Sequence, residues 1–193
     1  MHKILYALLF GFCLSLSTAW AVDTETVMVQ TSMGDITLDL DKAKAPKTVA
    51  NFLRYVDQGF YNGTVFHRVI KHFMIQGGGL TPDMQKKPTN PPVQNEAKNG
   101  LKNIRGSIAM ARTQAPHSAT AQFFINHRDN KNLDYPSFDG WGYAVFGQVS
   151  KGLDIVDQIA NQLTSTQAGR QNVPVQPIII TAIKRVAPHT QGK

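Results

Sequence analysis

The segment FHRVIKHFMIQGGG, residues 66–79, contains two short apolar runs separated by Lys71 and His72, and it ends in three glycines. Each run has the length and the bulky apolar residues typical of a β-strand. The first run also contains Arg68, whose guanidinium stays charged in proteins and is costly to bury without a partner. Arg68 is therefore either a solvated residue of an alternating strand or a residue whose charge has a use.

The rest of the sequence contains six more strand patterns and two helical ones. One helical pattern begins at Pro46 and stops at Gly59, and the other covers residues 152–161. The eight strand patterns cover residues 26–31, 35–41, 64–70, 73–76, 107–112, 122–126, 143–150 and 177–186. Because strands and helices do not alternate, a doubly wound parallel sheet does not fit. We expect a mainly β fold, a mostly antiparallel barrel of eight strands capped by two helices.

The last strand pattern and the two longest connections allow predictions about which segments are buried and which lie on the surface. The stretch PIIITAIKRV at residues 177–186 is almost continuously apolar at its start, which predicts a central strand with both faces covered. The connections at residues 77–106 and 127–142 are rich in Gly, Pro, Asn and Asp, as functional surface loops often are. We expect both connections to run over the surface of the barrel.

The first 21 residues predict a cleavable signal peptide. They combine a basic start, an apolar run too short to cross a bilayer comfortably, and the small-x-small pattern Ala19-Trp20-Ala21. We expect cleavage after Ala21, an exported domain over residues 22–186, and a flexible polar tail over residues 187–193. The one cysteine, Cys13, lies in this leader, so the processed chain has neither a thiol nor a disulfide.

Charge argues against a nucleic-acid partner. The chain carries 20 Lys and Arg residues against 13 Asp and Glu residues, a net charge of +7, and loss of Lys3 with the leader leaves 19 against 13, or +6. These positive residues are scattered along the sequence instead of clustered among aromatic residues, which favours a solvated surface. We expect a monomer that binds no nucleic acid and does not insert into a membrane after processing.

Two motifs that could indicate a cofactor have simpler structural explanations. The glycines at residues 77–79 lack the lysine and the Ser or Thr of a phosphate-binding loop, so we expect them to allow a sharp turn or a close approach of another backbone. His67 and His72 have no carboxylate or third histidine nearby in sequence, which does not favour a metal site. We therefore expect neither a metal nor a cofactor.

The segment Gln122-Phe123-Phe124-Ile125 predicts a binding surface. Alternation along a strand sends Gln122 and Phe124 to one face, and Phe123 and Ile125 to the other. A glutamine beside a phenylalanine is unusual in a sealed core, but it is typical of a shallow apolar pocket with a polar rim.

Four segments, FHRVIKHFMIQGG, GSIAMAR, AQFFIN and YAVFGQV, resemble the cyclophilin family of peptidyl-prolyl cis-trans isomerases. The resemblance extends from about residue 27 to residue 186, and the leader is similar to that of exported bacterial members. It implies a closed eight-stranded antiparallel barrel with a helix at each end. It also implies proline-containing polypeptides as substrates, a role in the folding of exported proteins, and a periplasmic location.

The resemblance also implies roles for individual residues. Arg68 would be the catalytic residue. The residues that would line the proline pocket are Phe73, Met74, Phe124 and Leu133. The residues that would contact the substrate backbone are Gln76, Gln122 and, through its main chain, Ala111.

Three positions depart from the pattern of well-known family members. Arg112 stands where many members have Asn, and Tyr143 aligns with their pocket histidine; both belong to our predicted substrate-binding set. Asn132 aligns with the pocket-edge tryptophan of the best-known eukaryotic members, so the resemblance carries no expectation of strong cyclosporin binding. The sequence also leaves open a second hypothesis, a proline-recognising chaperone in which isomerase activity is incidental.

Overall fold

The computed structural model describes residues 24–186, which form ten strands and two α-helices. The strands are β1 (Thr24–Thr31), β2 (Gly34–Asp41), β3 (Thr64–Ile70), β4 (Met74–Gly77), β5 (Ser107–Met110), β6 (Phe123–Asn126), β7 (Val145–Lys151), β8 (Thr164–Gln167), β9 (Arg170–Pro174) and β10 (Ile179–Val186). The helices are α1 (Pro46–Asp57) and α2 (Leu153–Ala160). The predicted leader and the predicted tail at residues 187–193 lie outside the described residues.

Eight of the strands close into a barrel in the order β1-β10-β3-β4-β6-β5-β7-β2. Every neighbouring pair in this barrel is antiparallel. The expected fold, a closed eight-stranded antiparallel barrel with two helices, is confirmed. Within residues 24–186, no helix is both long enough and apolar enough to span a bilayer.

The main core fills the barrel interior and extends under α1. Phe52 of α1 lies with its ring centroid 5.2 Å from that of Phe146 and 5.7 Å from that of Phe123. Val49 and Val56, on the same face of α1, are also buried, as the helical spacing predicts. The helix therefore closes one end of the barrel with aromatic contacts.

The hairpin formed by β8 and β9 was not expected from the sequence. Its burial pattern is mostly exposed, so it lacks the alternation of apolar and polar residues that marks a half-buried strand. Its turn residues Ala168 and Gly169 have φ values of 49° and 73°, the left-handed pair that a tight two-residue hairpin turn requires.

The expectation that the last strand is covered on both faces is wrong. β10 begins only at Ile179, and its side chains at Thr181, Lys184 and Arg185 are exposed while Ile180 and Ile183 are buried. The strand does have a neighbour on each side, β1 and β3. A strand of an antiparallel barrel needs to bury only one face against the core. The apolar run at the start of this segment therefore does not require burial of both faces of β10.

Candidate active site

Four paired residues form a row across the outer face of the barrel. Arg68 on β3 pairs with Gln76 on β4, Gln76 pairs with Phe124 on β6, and Phe124 pairs with Ala109 on β5. Residues that face each other on neighbouring antiparallel strands have Cβ atoms roughly 4.5–5.5 Å apart. The backbone ladder therefore brings a cation, an amide and an aromatic ring together, although they are distant in sequence.

A β-bulge determines the direction of Arg68. The pairing of β3 with β4 shifts by one residue between Phe66 and Arg68, so His67 is the extra residue. Phe66 and Val69 both belong to the main core, which leaves His67 and Arg68 together on the outer side of the strand. Bulges are frequent beside active sites because they re-aim a side chain. Arg68 thus leaves the barrel wall without disturbing the core residues on either side of it.

The outer face holds a pocket of about 110 Å³. Its lining residues are Arg68, Phe73, Met74, Gln76, Ala111, Arg112, Phe124, Leu133 and Tyr143. Met74, Phe124 and Leu133 belong to a small apolar cluster separate from the core. Sites for whole small-molecule ligands usually measure roughly 300–1,000 Å³. This pocket is smaller and suits a single compact side chain or ring.

The guanidinium of Arg68 has few partners of its own. Among the described residues, its one hydrogen bond donates from Nη1 to Oε1 of Gln76 over a long 3.4 Å. In residues 24–186, no carboxylate lies within ion-pair distance of Arg68. The half-buried cation therefore keeps donors available at the edge of an apolar pocket.

Gln122 lies next to the pocket and not in its lining. Its Oε1 accepts a hydrogen bond of 3.0 Å from Nε2 of Gln76, so Arg68, Gln76 and Gln122 form a chain of polar groups. Gln122 lines an adjoining groove of about 160 Å³. The other residues of this groove are Gln76, Ala111, Arg112, Thr113, Ser118 and Thr120.

The triple glycine makes room for Gln122. A Cβ atom on Gly79 would lie 2.3 Å from Cγ of Gln122, a distance that real Cβ atoms do not reach. Gly78, with a φ of +81°, turns the chain where a Cβ atom would collide with Phe123 and Tyr61. The glycines thus serve a turn, as expected, and the close approach at Gly79 is to a side chain instead of another backbone.

His67 is buried beside the catalytic candidate and is neutral near pH 7. Burial lowers the pKa of His67 to about 4, and the positive charges of Arg170 and Arg68 act in the same direction. Its Nδ1 atom has no hydrogen-bond partner. Among the described residues, no group of three or more His, Cys, Asp or Glu side chains could hold a metal ion.

Nine of the ten residues in the predicted site line the one pocket, and Gln122 adjoins it. Asn132 and Trp141 do not line the pocket. Sequence reasoning missed Thr113, Ser118 and Thr120 of the groove, since short polar residues in a loop carry no distinguishing pattern. It also missed Asp139, which pairs with Arg112.

Comparisons with known proteins agree with this geometry. The profile of the family described as "Cyclophilin type peptidyl-prolyl cis-trans isomerase/CLD" matches residues 26–185. "Peptidyl-prolyl cis-trans isomerase cyp18" of Streptomyces antibioticus is 59% identical over 161 residues, which are 82% of this chain and 97% of the relative. "Peptidyl-prolyl cis-trans isomerase B" of Escherichia coli is 54% identical over 159 residues, or 81% and 97% of the two chains.

A solved structure resembles the fold closely. It is the crystal structure of a Cryptosporidium parvum cyclophilin type peptidyl-prolyl cis-trans isomerase in the presence of the dipeptide Ala-Pro. The TM-score is 0.72 at 28% sequence identity, and the match covers 84% of this chain and 99% of that chain.

Proposed function

The chain belongs to the cyclophilin-type peptidyl-prolyl cis-trans isomerases and catalyses the rotation of X–Pro bonds, and we propose that Arg68 is the residue whose charge lowers the barrier to this rotation. The observation that carries the proposal is the contrast between its position and its partners. The Arg68 guanidinium lines the apolar pocket, yet only one long hydrogen bond engages it.

The reaction is slow without a catalyst because the amide bond has partial double-bond character. The barrier of about 20 kcal/mol corresponds to a rate of about 0.01 per second. Lowering it to about 14 kcal/mol would give a few hundred per second. The protein must therefore stabilise the twisted amide by roughly 6 kcal/mol more than it stabilises either planar isomer.

The twisted amide differs from both planar isomers at the prolyl nitrogen. When conjugation is lost, this nitrogen becomes pyramidal and regains a basic lone pair. A guanidinium N–H directed at that lone pair binds the twisted state and offers little to the planar ones. Arg68 then acts by differential stabilisation of the transition state, and the reaction requires neither a covalent intermediate nor a proton transfer.

The other pocket residues would hold the substrate while the bond rotates. Phe73, Met74 and Phe124 would grip the proline ring and keep water away from the Arg68 hydrogen bond, which strengthens it. Gln76 and Gln122, already joined by a hydrogen bond, would bind the flanking peptide backbone. The solved relative crystallised in the presence of Ala-Pro supports a proline ligand for this pocket.

The test compares Arg68→Ala with Arg54→Ala in a protease-coupled assay on a proline tetrapeptide. Arg54 is an exposed arginine of α1 outside the pocket, so it controls for the loss of one surface charge. We expect Arg68→Ala to lower kcat/KM by about 10²–10³-fold, as removal of one transition-state donor does elsewhere. Both variants should keep the wild-type circular dichroism spectrum. Near-full turnover by a folded Arg68→Ala protein would refute the role.

We also propose that the substrates are exported proteins and that the isomerase works in the periplasm, where it assists their folding. The support is the predicted leader over residues 1–21, together with the resemblance to exported bacterial members.

A further inference from the structure

Arg112 lines the same pocket as Arg68 but uses its guanidinium in a different way. Its side chain is only 2% exposed. Nε donates to the carbonyl oxygen of Gly142 over 3.0 Å, Nη1 donates to that of Thr113 over 3.0 Å, and Nη2 pairs with Asp139. Each of the three nitrogen atoms therefore has at least one partner within the protein.

The flat face of the same guanidinium packs against the pocket wall. The Arg112 Cζ atom lies 4.5 Å from the ring centroid of Tyr143. Tyr143 meets Phe124 edge to face, with centroids 5.6 Å apart, and its backbone N–H donates to Leu133 over 2.9 Å. Tyr143, Phe124 and Leu133 all line the pocket. Arg112 thus lines the pocket and also packs against the Tyr143 ring of its outer wall.

The loop at residues 134–142 buries little of its own surface and contacts Arg112 near its end. Phe138 near its tip is 84% exposed. Arg112 contacts the loop at Asp139 and at Gly142, and the hydrogen bond from Arg112 is the largest cause that lowers the pKa of Asp139. These contacts join Arg112 to the loop end that leads into Tyr143, where Asn95 also donates to the carbonyl oxygen of Gly142 over 3.1 Å.

We propose that Arg112 is a positioning residue that fixes the outer wall of the proline pocket, formed by Tyr143 and the loop at residues 134–142. This inference rests on the proposed function of the pocket and assigns Arg112 an indirect role in place of the direct substrate contact predicted from the sequence. A buried arginine that holds a wall in place sets how firmly the proline ring is bound, while Arg68 sets how fast the bond rotates.

The experiment measures kcat and KM separately, in the same assay on a proline tetrapeptide, for Arg112→Gln, Arg112→Lys, Asp139→Asn and Tyr143→Leu. Arg112→Gln should raise KM about 3- to 30-fold, the range expected for losing a cation–aromatic contact, with kcat changed less than 3-fold. Asp139→Asn, outside the pocket, should raise KM in the same direction, and Arg112→Lys should restore part of the loss by keeping the charge.

A double-mutant cycle tests whether Arg112 acts through the wall. If it does, Arg112→Gln should add little to the KM of a Tyr143→Leu protein. In a Trp20→Phe background, Trp141 is the only tryptophan of the chain, and its backbone N–H donates to Asp139 over 3.0 Å. Its emission should therefore shift in both Arg112→Gln and Asp139→Asn.

Two results would overturn the inference: additive effects of Arg112→Gln and Tyr143→Leu on KM, or a loss confined to kcat in Arg112→Gln. Either would mean that Arg112 acts on the substrate directly. If Arg112→Gln does not fold, the KM and the Trp141 emission of Asp139→Asn decide the question, and a wild-type KM with unshifted emission would contradict it. Failure of the proposed function would appear separately, as full activity of Arg68→Ala.

Discussion

Arg68 and His67 are neighbours in sequence with opposite electrostatic situations. The Arg68 guanidinium stays charged at the pocket edge, whereas the His67 imidazole is buried and held neutral. A positive charge on His67 would repel the charge of Arg68, which acts to lower the pKa of His67. Burial is the largest cause of the low pKa of His67, and this imidazole stays neutral down to a pH well below 6.5.

The stability of the protein should fall as the pH is lowered from 6.5 towards 4, and His67 should account for part of the loss. The unfolded chain protonates this imidazole near pH 6.5, but the folded chain does so only near pH 4. Stability from this group is therefore complete above pH 6.5 and decreases as the pH falls to 4, by roughly 2–3 kcal/mol.

Urea unfolding at pH 7 and pH 4.5 measures this loss. His67→Gln should lose about 2–3 kcal/mol less than wild type between the two pH values. His72→Asn is the matched control, because His72 is exposed and asparagine tolerates its φ of 59°. An equal loss in wild type and His67→Gln would show that His67 does not titrate in this window.

At the scale of elements, the sequence predicts the strands and helices whose apolar residues recur at regular spacing. The strands and helices of the barrel alternate or repeat clearly, and Phe124 could be assigned to the pocket face because Phe123 and Ile125 had to face inward. The bulge at His67 could not be predicted, since it depends on the pairing of β3 with β4. The hairpin of β8 and β9 could not be predicted because most of its residues are polar and only Val173 and Pro174 at its end are buried.

Gly79, which follows β4, lies against Gln122, which precedes β6, and this contact can be tested. In Gly79→Ala, the new Cβ should force Gln122 to rotate and break its hydrogen bond to Gln76. We expect kcat/KM to fall about 2- to 10-fold, the equivalent of one hydrogen bond. In a Gln122→Ala background the same glycine substitution should have little further effect, because the obstructing side chain is gone. A full loss in that background would mean that Gly79 acts through something other than Gln122.

At the scale of the whole molecule, the barrel of residues 24–186 and the sequence before it have different tasks. The family match covers residues 26–185, and the predicted leader lies before it. Most of the fold and eight of the nine pocket residues could be predicted because they lie within the four segments that carry the family resemblance. Leu133 lies outside these segments and outside the strands, and only the resemblance implied its place in the pocket. The anchoring of the wall by Asp139 could not, because it joins two irregular connections.

Export makes a prediction about the whole chain. Expression of all 193 residues in a Gram-negative host should yield a periplasmic protein whose first residue is Val22, as read by N-terminal sequencing. Ala21→Leu should block this processing, and Ala21→Ser should preserve it because serine is also small. A cytoplasmic protein that retains residues 1–21 would contradict export.

The row that joins Arg68 to Phe124 crosses strands instead of following one, and this has a consequence for how such a site can vary. Its span is measured in strand spacings of about 4.8 Å, so two steps place the charge and the ring wall roughly 10 Å apart at the backbone. Backbone ladders enforce that interval regardless of loop sequence. The connections around the pocket can therefore differ in sequence and select different polypeptides. The backbone distance between Arg68 and Phe124 stays the same.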